Sequence, residues 1–525
     1  MNKPTKSEVC KSMRNQDVIY PVVDLFAGPG GLGEGFSELY NSNNTRVFQS
    51  VASIERDDFA HQTLLLRHFY KSFPRHEVTE DYYSYLEGRI EKVELIARNK
   101  MNWEHAKNTA LKISLGEESH NEVRNIIKKG LNSAKKWALI GGPPCQAYSL
   151  VGRSRMMGNP EFEDDERHFL YKEYLKIIID HKPPVFVMEN VKGLLSAKVC
   201  GEFVVDKIVQ DLRSPVKAIE KNKSGLRYKL YSLSQAGEVI DEIEPKSFIV
   251  KAEDYGVPQA RHRMFILGIR ADIEVVPRTL TKSKAPSVEQ VIGSLPRIRS
   301  GISRRKDSLE EWRKALITIK STPWRLSEKK EHSLIKAEIK KALIEIEGSE
   351  LENHSNDYKP PHVMRTWYSD DRLRVVTGHQ ARSHMVSDLH RYLYASSHAN
   401  ALNISPKLND FPEELLPAHK NVKEGCEGKM FSDRFRVQLR SRVSTTITSH
   451  ISKDGHYFIH YDPAQCRSLS VREAARLQTF PDNYHFEGPR TAQYHQVGNA
   501  VPPYLAVQIA SIVKDILEQI PSNKL

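Results

Sequence analysis

Short apolar runs that end on glycine or on a carboxylate set the rhythm of the first half of the chain. Val22-Val23-Asp24-Leu25-Phe26 runs into the glycine cluster Ala27-Gly28-Pro29-Gly30-Gly31-Leu32-Gly33, and Glu34-Gly35-Phe36-Ser37-Glu38-Leu39 follows; this pattern predicts strand, tight turn and helix. Val51-Ala52-Ser53-Ile54-Glu55 predicts a second strand closing on a carboxylate. Residues 69–136 are charged and helix-rich, with no recurring period. Trp137-Ala138-Leu139-Ile140 and Val185-Phe186-Val187-Met188 predict two more strands. The first leads into Gly141-Gly142-Pro143-Pro144-Cys145-Gln146 and the second into Glu189-Asn190-Val191. Strands alternating with helices predict an α/β fold with a doubly wound, Rossmann-like sheet, whose ligands sit beyond the carboxyl ends of the strands.

After Phe265-Ile266-Leu267-Gly268-Ile269 the texture becomes basic, proline-interrupted and irregular up to about Pro463. A chain of 525 residues exceeds the size at which one core stops growing. The expected organisation is a first part over residues 1–275, an inserted smaller domain over 276–462, and a C-terminal return to the first part over 463–525. Within the insert, Arg434, Arg436, Gln438, Arg440 and Arg442 alternate with Phe435, Val437 and Leu439, and strand periodicity puts the five long polar groups on one face. A charge-protected edge strand is one reading of this pattern. A DNA-facing strand is the other, because Arg and Gln read guanine and adenine edges.

With 78 Lys+Arg against 66 Asp+Glu, a formal charge of +12 and a pI near 9.2, the composition favours a polyanionic partner without demanding one. Residues 297–341 alone hold 14 basic and 6 acidic side chains, which suit a solvated helical face as well as they suit phosphate. Cysteines at 10, 145, 200, 426 and 466 show neither CxxC spacing nor paired histidines, so no disulfide framework and no metal site is expected. Residues 1–16 lack the apolar core of a signal peptide, and no apolar run reaches the length that spans a bilayer. The expectation is a soluble, cytoplasmic protein without a membrane partner.

A cysteine is a strong nucleophile only as thiolate, and Cys145, on a double-proline turn beside backbone N–H groups, suits that role. The glycines of the first turn let backbone approach a cofactor while the next helix presents its N-terminus. That turn alone fits an NAD-type dinucleotide fold equally well, with Glu55 on ribose hydroxyls in either case. The Pro-Pro-Cys-Gln turn separates the two. The order of motifs continues with Asp254-Tyr255-Gly256-Val257-Pro258-Gln259-Ala260-Arg261-His262-Arg263, the signature from Arg467 to Asp482, and Gln496-Val497-Gly498-Asn499-Ala500-Val501-Pro502. Over residues 18–270 and 467–525 this order resembles the cytosine carbon-5 methyltransferases, most of which act on DNA.

The resemblance implies S-adenosyl-L-methionine as cofactor, lined by Phe26, Gly28, Pro29, Gly31 and Leu32, with Glu55 on the ribose and Pro144 and Asn499 completing the pocket. It implies Cys145 as the nucleophile on a flipped cytosine of double-stranded DNA, and Glu189 as proton donor. Arg261 and Arg263 become catalytic arginines, Arg263 near the cytosine carbonyl oxygen. Residues 147–167 are expected as a mobile loop, suited to a lid. The acidic residue that usually contacts the adenine has no recognisable match within residues 69–136. Thr445-Thr446-Ile447-Thr448 and His379-Gln380-Ala381-Arg382-Ser383-His384 read as scaffold or as base readout with equal ease. By analogy the chain is a monomeric prokaryotic modification enzyme, alone or beside a separately acting restriction or defence nuclease. Two alternatives stay open: a tRNA cytosine-5 methyltransferase, disfavoured by the large recognition region, and a non-catalytic DNA-binding scaffold, disfavoured by Cys145, Glu189 and Arg263.

Overall fold

The structure, a computed structural model, describes residues 18–144, 167–199, 202–219, 225–237, 244–321, 330–418, 420–427 and 432–521. Its first part follows the predicted alternation: β1 (Tyr20–Leu25), α1 (Gly31–Ser37), β2 (Phe48–Glu55), α2 (Asp58–Lys71), then three helices, α3 (Glu80–Leu86), α4 (Lys92–Arg98) and α5 (Lys100–Thr109). A short strand that the sequence pattern did not announce, β3 (Ala110–Lys112), comes next, followed by α6 (His120–Leu131), β4 (Ala138–Gly141), α7 (Arg167–His181), β5 (Val185–Val191) and α8 (Val204–Arg213). The sheet closes with β6 (Tyr228–Tyr231), β7 (Ile249–Lys251) and β8 (His262–Arg270). Its order is β3-β2-β1-β4-β5-β8-β6, with β7 beside the first half of β8. Strands β1 to β5 are parallel and β8 runs antiparallel to β5. This is the Rossmann-like α/β sheet that the pattern predicts.

The strands read as nearly continuous apolar runs because helices cover both faces. On one face α1 packs with the last helix of the chain, bringing Leu32 and Phe36 together with Ile509 and Val513. On the other, α6 buries Val123, Ile127 and Leu131, a four-residue spacing that makes one helical stripe, beside α7 and α8. Helices α3 to α5 form a separate small core around Tyr82, Leu95 and Trp103, which takes in Leu373 from far along the chain.

From Val288 onward a third core builds around α9 (Leu309–Ile317), α10 (Lys330–Gly348) and α11 (Val386–Leu402), with Trp312, Tyr392 and Phe458 inside it. The same core continues through α12 (Val471–Leu477) to α13 (Arg490–Asn499), so much of the C-terminal signature packs with the inserted region. Instead of one apolar stripe, α12 buries all seven of its residues. Its arginines are tolerated inside because each is satisfied. Arg476 makes a bidentate pair with Asp482 at 2.8 and 2.9 Å, and Arg472 donates to Thr377 and Tyr484 carbonyls. A Ser470–Glu473 capping box starts the helix, and Glu473 also holds Arg467 at 2.6 and 2.7 Å.

Two expectations are corrected here. The alternation from Arg434 to Arg442 is no strand: Val437 alone makes an isolated bridge, to Ile459. Gln438 is buried, accepting the Thr445 N–H at 2.9 Å and donating to the Tyr457 carbonyl at 3.0 Å, so it cannot share an outer face with the arginines. Its amide serves backbone groups that no strand partner satisfies. Arg436 pairs with Asp433, and Arg440 with Glu289 at 2.9 Å. The second correction concerns the helical stretch Arg490–Gln519, from α13 into α14 (Pro503–Gln519), which is long and apolar enough to cross a membrane by composition. Its most apolar window is 67% buried within the protein, which makes it a core helix.

Burial also holds several histidines neutral: His68, His379 and His485 are pushed down to about 4 and His384 to about 3, desolvation being the largest cause in each. In the unfolded chain they take up protons near pH 6.5. The unfolded state therefore binds more protons below that pH, and stability falls as the pH drops from about 6.5 toward 4. Each such histidine contributes a slope of roughly 1.4 kcal/mol per pH unit in this window. Chemical denaturation at pH 7 and pH 5 is expected to show a loss of several kcal/mol, and His384→Gln or His485→Gln should flatten the slope by about one proton.

Candidate active site

The first functional edge forms where β1, β2, β4 and β5 end. After Leu25 the chain turns through three left-handed residues, Phe26 (φ 57°), Gly28 (φ 58°) and Gly30 (φ 96°), before entering α1. Glycine takes such angles freely, whereas Phe26 holds one despite its side chain. Glu55, at the end of β2, anchors the turn: its Oε2 accepts the Gly28 N–H at 2.8 Å, while Oε1 accepts the Arg56 and Asp57 N–H groups at 2.8 and 2.7 Å. A carboxylate has about four acceptor positions, so Oε2 keeps capacity for a hydroxyl.

A cavity of about 360 Å³ opens over this edge. It brings together Phe26, Gly28, Pro29, Leu32, Glu55, Pro144 and Asn499 from the expected cofactor set. Gly31 is the exception and lies behind the wall, where a Cβ would stand 2.3 Å from the Val501 carbonyl oxygen; its smallness serves helix contact. Asn499 is exposed and within 3.3 Å of His495 Nδ1. The size, the mixed apolar and carboxylate lining and the helix N-terminus fit an adenosyl cofactor.

Sequence reasoning missed several wall residues. Ile113 and Leu115, just beyond β3, give the cavity apolar surface where an acidic contact was sought, and Asp57 lines it while capping α2 through the Phe59 and Ala60 N–H groups. Asp24 is the largest omission. It is 1% exposed, and among the described residues neither carboxyl oxygen makes a well-formed hydrogen bond. Desolvation first, then the charge of Glu55, pushes it up to about 8, against a lowering influence from the Gly33 N–H. A carboxylate inside the run Val22-Val23-Asp24-Leu25 was the available signal.

The antiparallel pairing of β5 with β8 sets the second group. Phe265 lies opposite Glu189 and Arg263 opposite Val191, so Glu189 and Arg263 are diagonal neighbours, and Arg263 Nε sits 3.1 Å from Glu189 Oε1. Gly142 leaves room for the carboxylate, since a Cβ there would stand 3.0 Å from Glu189 Oε2. Burial raises the Glu189 pKa, and Arg263 and then Arg261 counter it. The result is an acid able to hold a proton nearer neutrality than an exposed glutamate. Asn190 donates to the Pro143 carbonyl at 3.0 Å, tying the proline turn to β5. Cys145 and residues 147–166 of the expected loop lie outside the described residues; Pro144, its chain neighbour, lines the cavity with Glu189.

Arg261, expected as a catalytic arginine with Arg263, is turned to other partners. Its guanidinium is buried and donates to the Ile447 carbonyl at 2.7 Å and the Gly498 carbonyl at 3.1 Å. Gln259 beside it accepts the Ile447 N–H at 2.8 Å, and Thr446 Oγ1 donates to the Ala260 carbonyl at 2.5 Å. Arg261 therefore cross-links the threonine segment and α13, and Arg263 faces Glu189. His379 bonds Pro296 and Ser470, a scaffold position.

The profile described as C-5 cytosine-specific DNA methylase matches residues 90–515. The chain is 34% identical to the Type II methyltransferase M.Bpa9945I of Bacillus paralicheniformis, over 94% of this chain and 99% of that protein. It is 25% identical to the Type II methyltransferase M.DdeI of Desulfomicrobium norvegicum, over 95% and 89% respectively. It is 24% identical to the DNA (cytosine-5-)-methyltransferase M.ApeKI of Aeropyrum pernix, over 76% and 85%. The chain belongs to the C-5 cytosine-specific DNA methylase family and is a DNA (cytosine-5-)-methyltransferase.

Asp24 supplies a test of the electrostatics at the cavity wall. Its native pKa is raised from an unfolded value near 3.9, so the native state keeps a proton that the unfolded state releases, and this contribution is lost as pH rises through about 8. Asp24→Asn is expected to gain stability over the parent at pH 9 relative to pH 6, by about 1 kcal/mol or more in thermal or denaturant unfolding. An unchanged difference at the two pH values would contradict a buried, proton-holding Asp24.

Proposed function

We propose that the chain methylates carbon 5 of cytosine within a specific double-stranded DNA sequence, with S-adenosyl-L-methionine as donor, through a covalent Cys145 adduct on a flipped base. The observation that carries this reading is the convergence of Glu189, itself held by Arg263, and the Pro143-Pro144 turn on a cavity whose other wall is the glycine turn. Enzymes of this family use S-adenosyl-L-methionine. Phe26, Leu32, Ile113 and Leu115 would hold its apolar parts and Glu55 its hydroxyls, and the bound cofactor supplies an electrophilic methyl group.

Carbon 5 of cytosine is a weak nucleophile, which explains the need for the protein's own groups. Addition of the Cys145 thiolate to carbon 6 opens the 5,6 double bond and makes carbon 5 enamine-like. Glu189, whose pKa burial raises, donates a proton to ring nitrogen 3 as that nitrogen gains charge, and Arg263 holds the carboxyl group and faces the base's carbonyl oxygen. After methyl transfer the carbon 5 proton leaves to a base, the double bond re-forms and the thiolate departs. A cytosine stacked in a duplex cannot present carbon 6 to a thiolate, so the target must leave the helix. Residues 276–462 are the proposed recognition domain, with the surface arginines Arg434, Arg436, Arg440 and Arg442 as candidate DNA contacts. The names of the relatives, Type II methyltransferases, favour a modification enzyme of a restriction-modification system.

Base-resolution 5-methylcytosine sequencing of DNA from a methylation-free host tests the reading. Expression of the chain should mark one short motif, and Cys145→Ala should mark none. Glu189→Gln should retain DNA binding and lose about 10²-fold or more in turnover, the usual contribution of a positioned acid. Methylation by purified Cys145→Ala would overturn the mechanism.

A further inference from the structure

The edge of the sheet opposite the cofactor cavity carries a second concave region. Two cavities of about 370 and 430 Å³ meet there, at the amino end of β2 and the C-terminal ends of α1 and α2, and share Tyr40, Arg46 and Arg75. One continues along β2 toward His105; the other runs between α2 and residues 365–372. Together they are lined by six strong cations, Arg46, Arg67, Lys71, Arg75, Arg365 and Arg372, against the carboxylates of Glu38, Asp370 and Asp371.

Pairing leaves this balance uneven. Arg67 and Lys71 bond Glu34 beneath the floor, and Glu38 is taken by Lys71. Asp370 already accepts from Tyr83 and Asn483, both at 2.8 Å, and Arg372 pairs with Glu80. Among the described residues Arg46, Arg75 and Arg365 have no carboxylate within ion-pair distance. Arg46 gives one nitrogen to the Lys71 and Phe73 carbonyls, while its Nε is buried without a partner. Arg75 lies over the Tyr40 ring, 4.5 Å from its centroid, held in place by a face instead of a counter-charge. Arg46 and Arg75 are oriented by carbonyls and a ring, and with Arg365 they outnumber Asp370 and Asp371, whose carboxylates also lack an ion pair among the described residues; such guanidinium groups suit a phosphate oxyanion. Trp367 adds flat apolar surface, and the cavity of about 430 Å³ that it lines suits a molecule of nucleotide size.

We propose that this cleft binds a small phosphate-bearing molecule, a nucleoside phosphate by its chemistry, at a site separate from the cofactor and DNA-modifying edge. Arg46, Arg75 and Arg365 take the phosphate groups and Trp367 offers a flat face for a base.

Isothermal titration of the full chain, with excess S-adenosylhomocysteine present to fill the cofactor cavity, tests the proposal using adenosine triphosphate, inorganic pyrophosphate and adenosine as probes. Adenosine triphosphate should bind with one-to-one stoichiometry and weaken with salt, and adenosine should bind at least about tenfold more weakly. The pair Arg46→Gln/Arg75→Glu, both outside the proposed recognition domain, should lower triphosphate affinity at least about tenfold while leaving ligand-free DNA methylation within about twofold. Absence of triphosphate binding, equal binding of adenosine, or an unchanged affinity in the double variant would overturn the site. A short cytosine-free DNA duplex is the competing source of phosphate. If it displaces the triphosphate from the parent, and loses affinity itself in the double variant, the cleft is a DNA-backbone contact and the small-molecule proposal falls.

Discussion

The catalytic edge depends on backbone touching backbone between the first turn of the chain and its C-terminal return. A Cβ on Gly31 would stand 2.3 Å from the Val501 carbonyl oxygen, and one on Gly35 would stand 2.4 Å from Ala506 Cβ and 2.5 Å from Val507 N. That approach lets α1 lie directly on α14 and brings Gln496, Asn499 and Val501 to the cavity that the glycine turn opens. The contact closes a very long loop, and its entropic cost is met by burying the apolar face of α14 against the sheet. Without it the cavity would lack its C-terminal wall.

Guanidinium groups then fasten the intervening region to this frame. Arg261 joins Ile447 to Gly498, Arg472 joins α12 to Thr377 and Tyr484, and Arg476 reaches Asp482 and the Lys359 carbonyl. Fully buried charges stabilise little in net terms, but removing one partner of such a pair typically costs ~3–5 kcal/mol. The arrangement is therefore specific: each arginine tolerates one packing of the segments it bridges. Tyrosines do the same on the other flank, where Tyr82 donates to the Asn483 carbonyl at 2.7 Å and Tyr83 to Asp370 at 2.8 Å. The helical segment α3 to α5 thereby braces the region around Asp370 and Asn483 as well as the sheet.

The sequence motifs were informative where local geometry and chemistry coincide. A glycine turn after an apolar strand has few structural solutions, and Glu55 and Glu189 end up on the cavity because their strands point there. Arg263 was legible for a similar reason, since strand pairing at β5 and β8 carries it to Glu189. Reading failed where alternation was taken for exposure. Gln438 looks like a member of a polar face and is buried, because the amide found backbone partners in two neighbouring loops. The arginines of α12 are charged yet buried, because carbonyls and carboxylates from distant segments make burial tolerable. Strand β3 escaped notice because three residues carry no period.

By itself the sequence determined the α/β class, the order of the motifs, and the residue types at the glycine turn and beside Glu189, since turn geometry and nucleophile chemistry are local properties of a few adjacent residues. Tertiary structure alone decided which charges are compensated. Desolvation raises Asp24 to about 8, Arg261 becomes a strut because two distant carbonyls converge on it, and among the described residues Arg46, Arg75 and Arg365 have no carboxylate partner. Burial and partnership are sums over segments far apart in the chain, so neither spacing nor composition carries them.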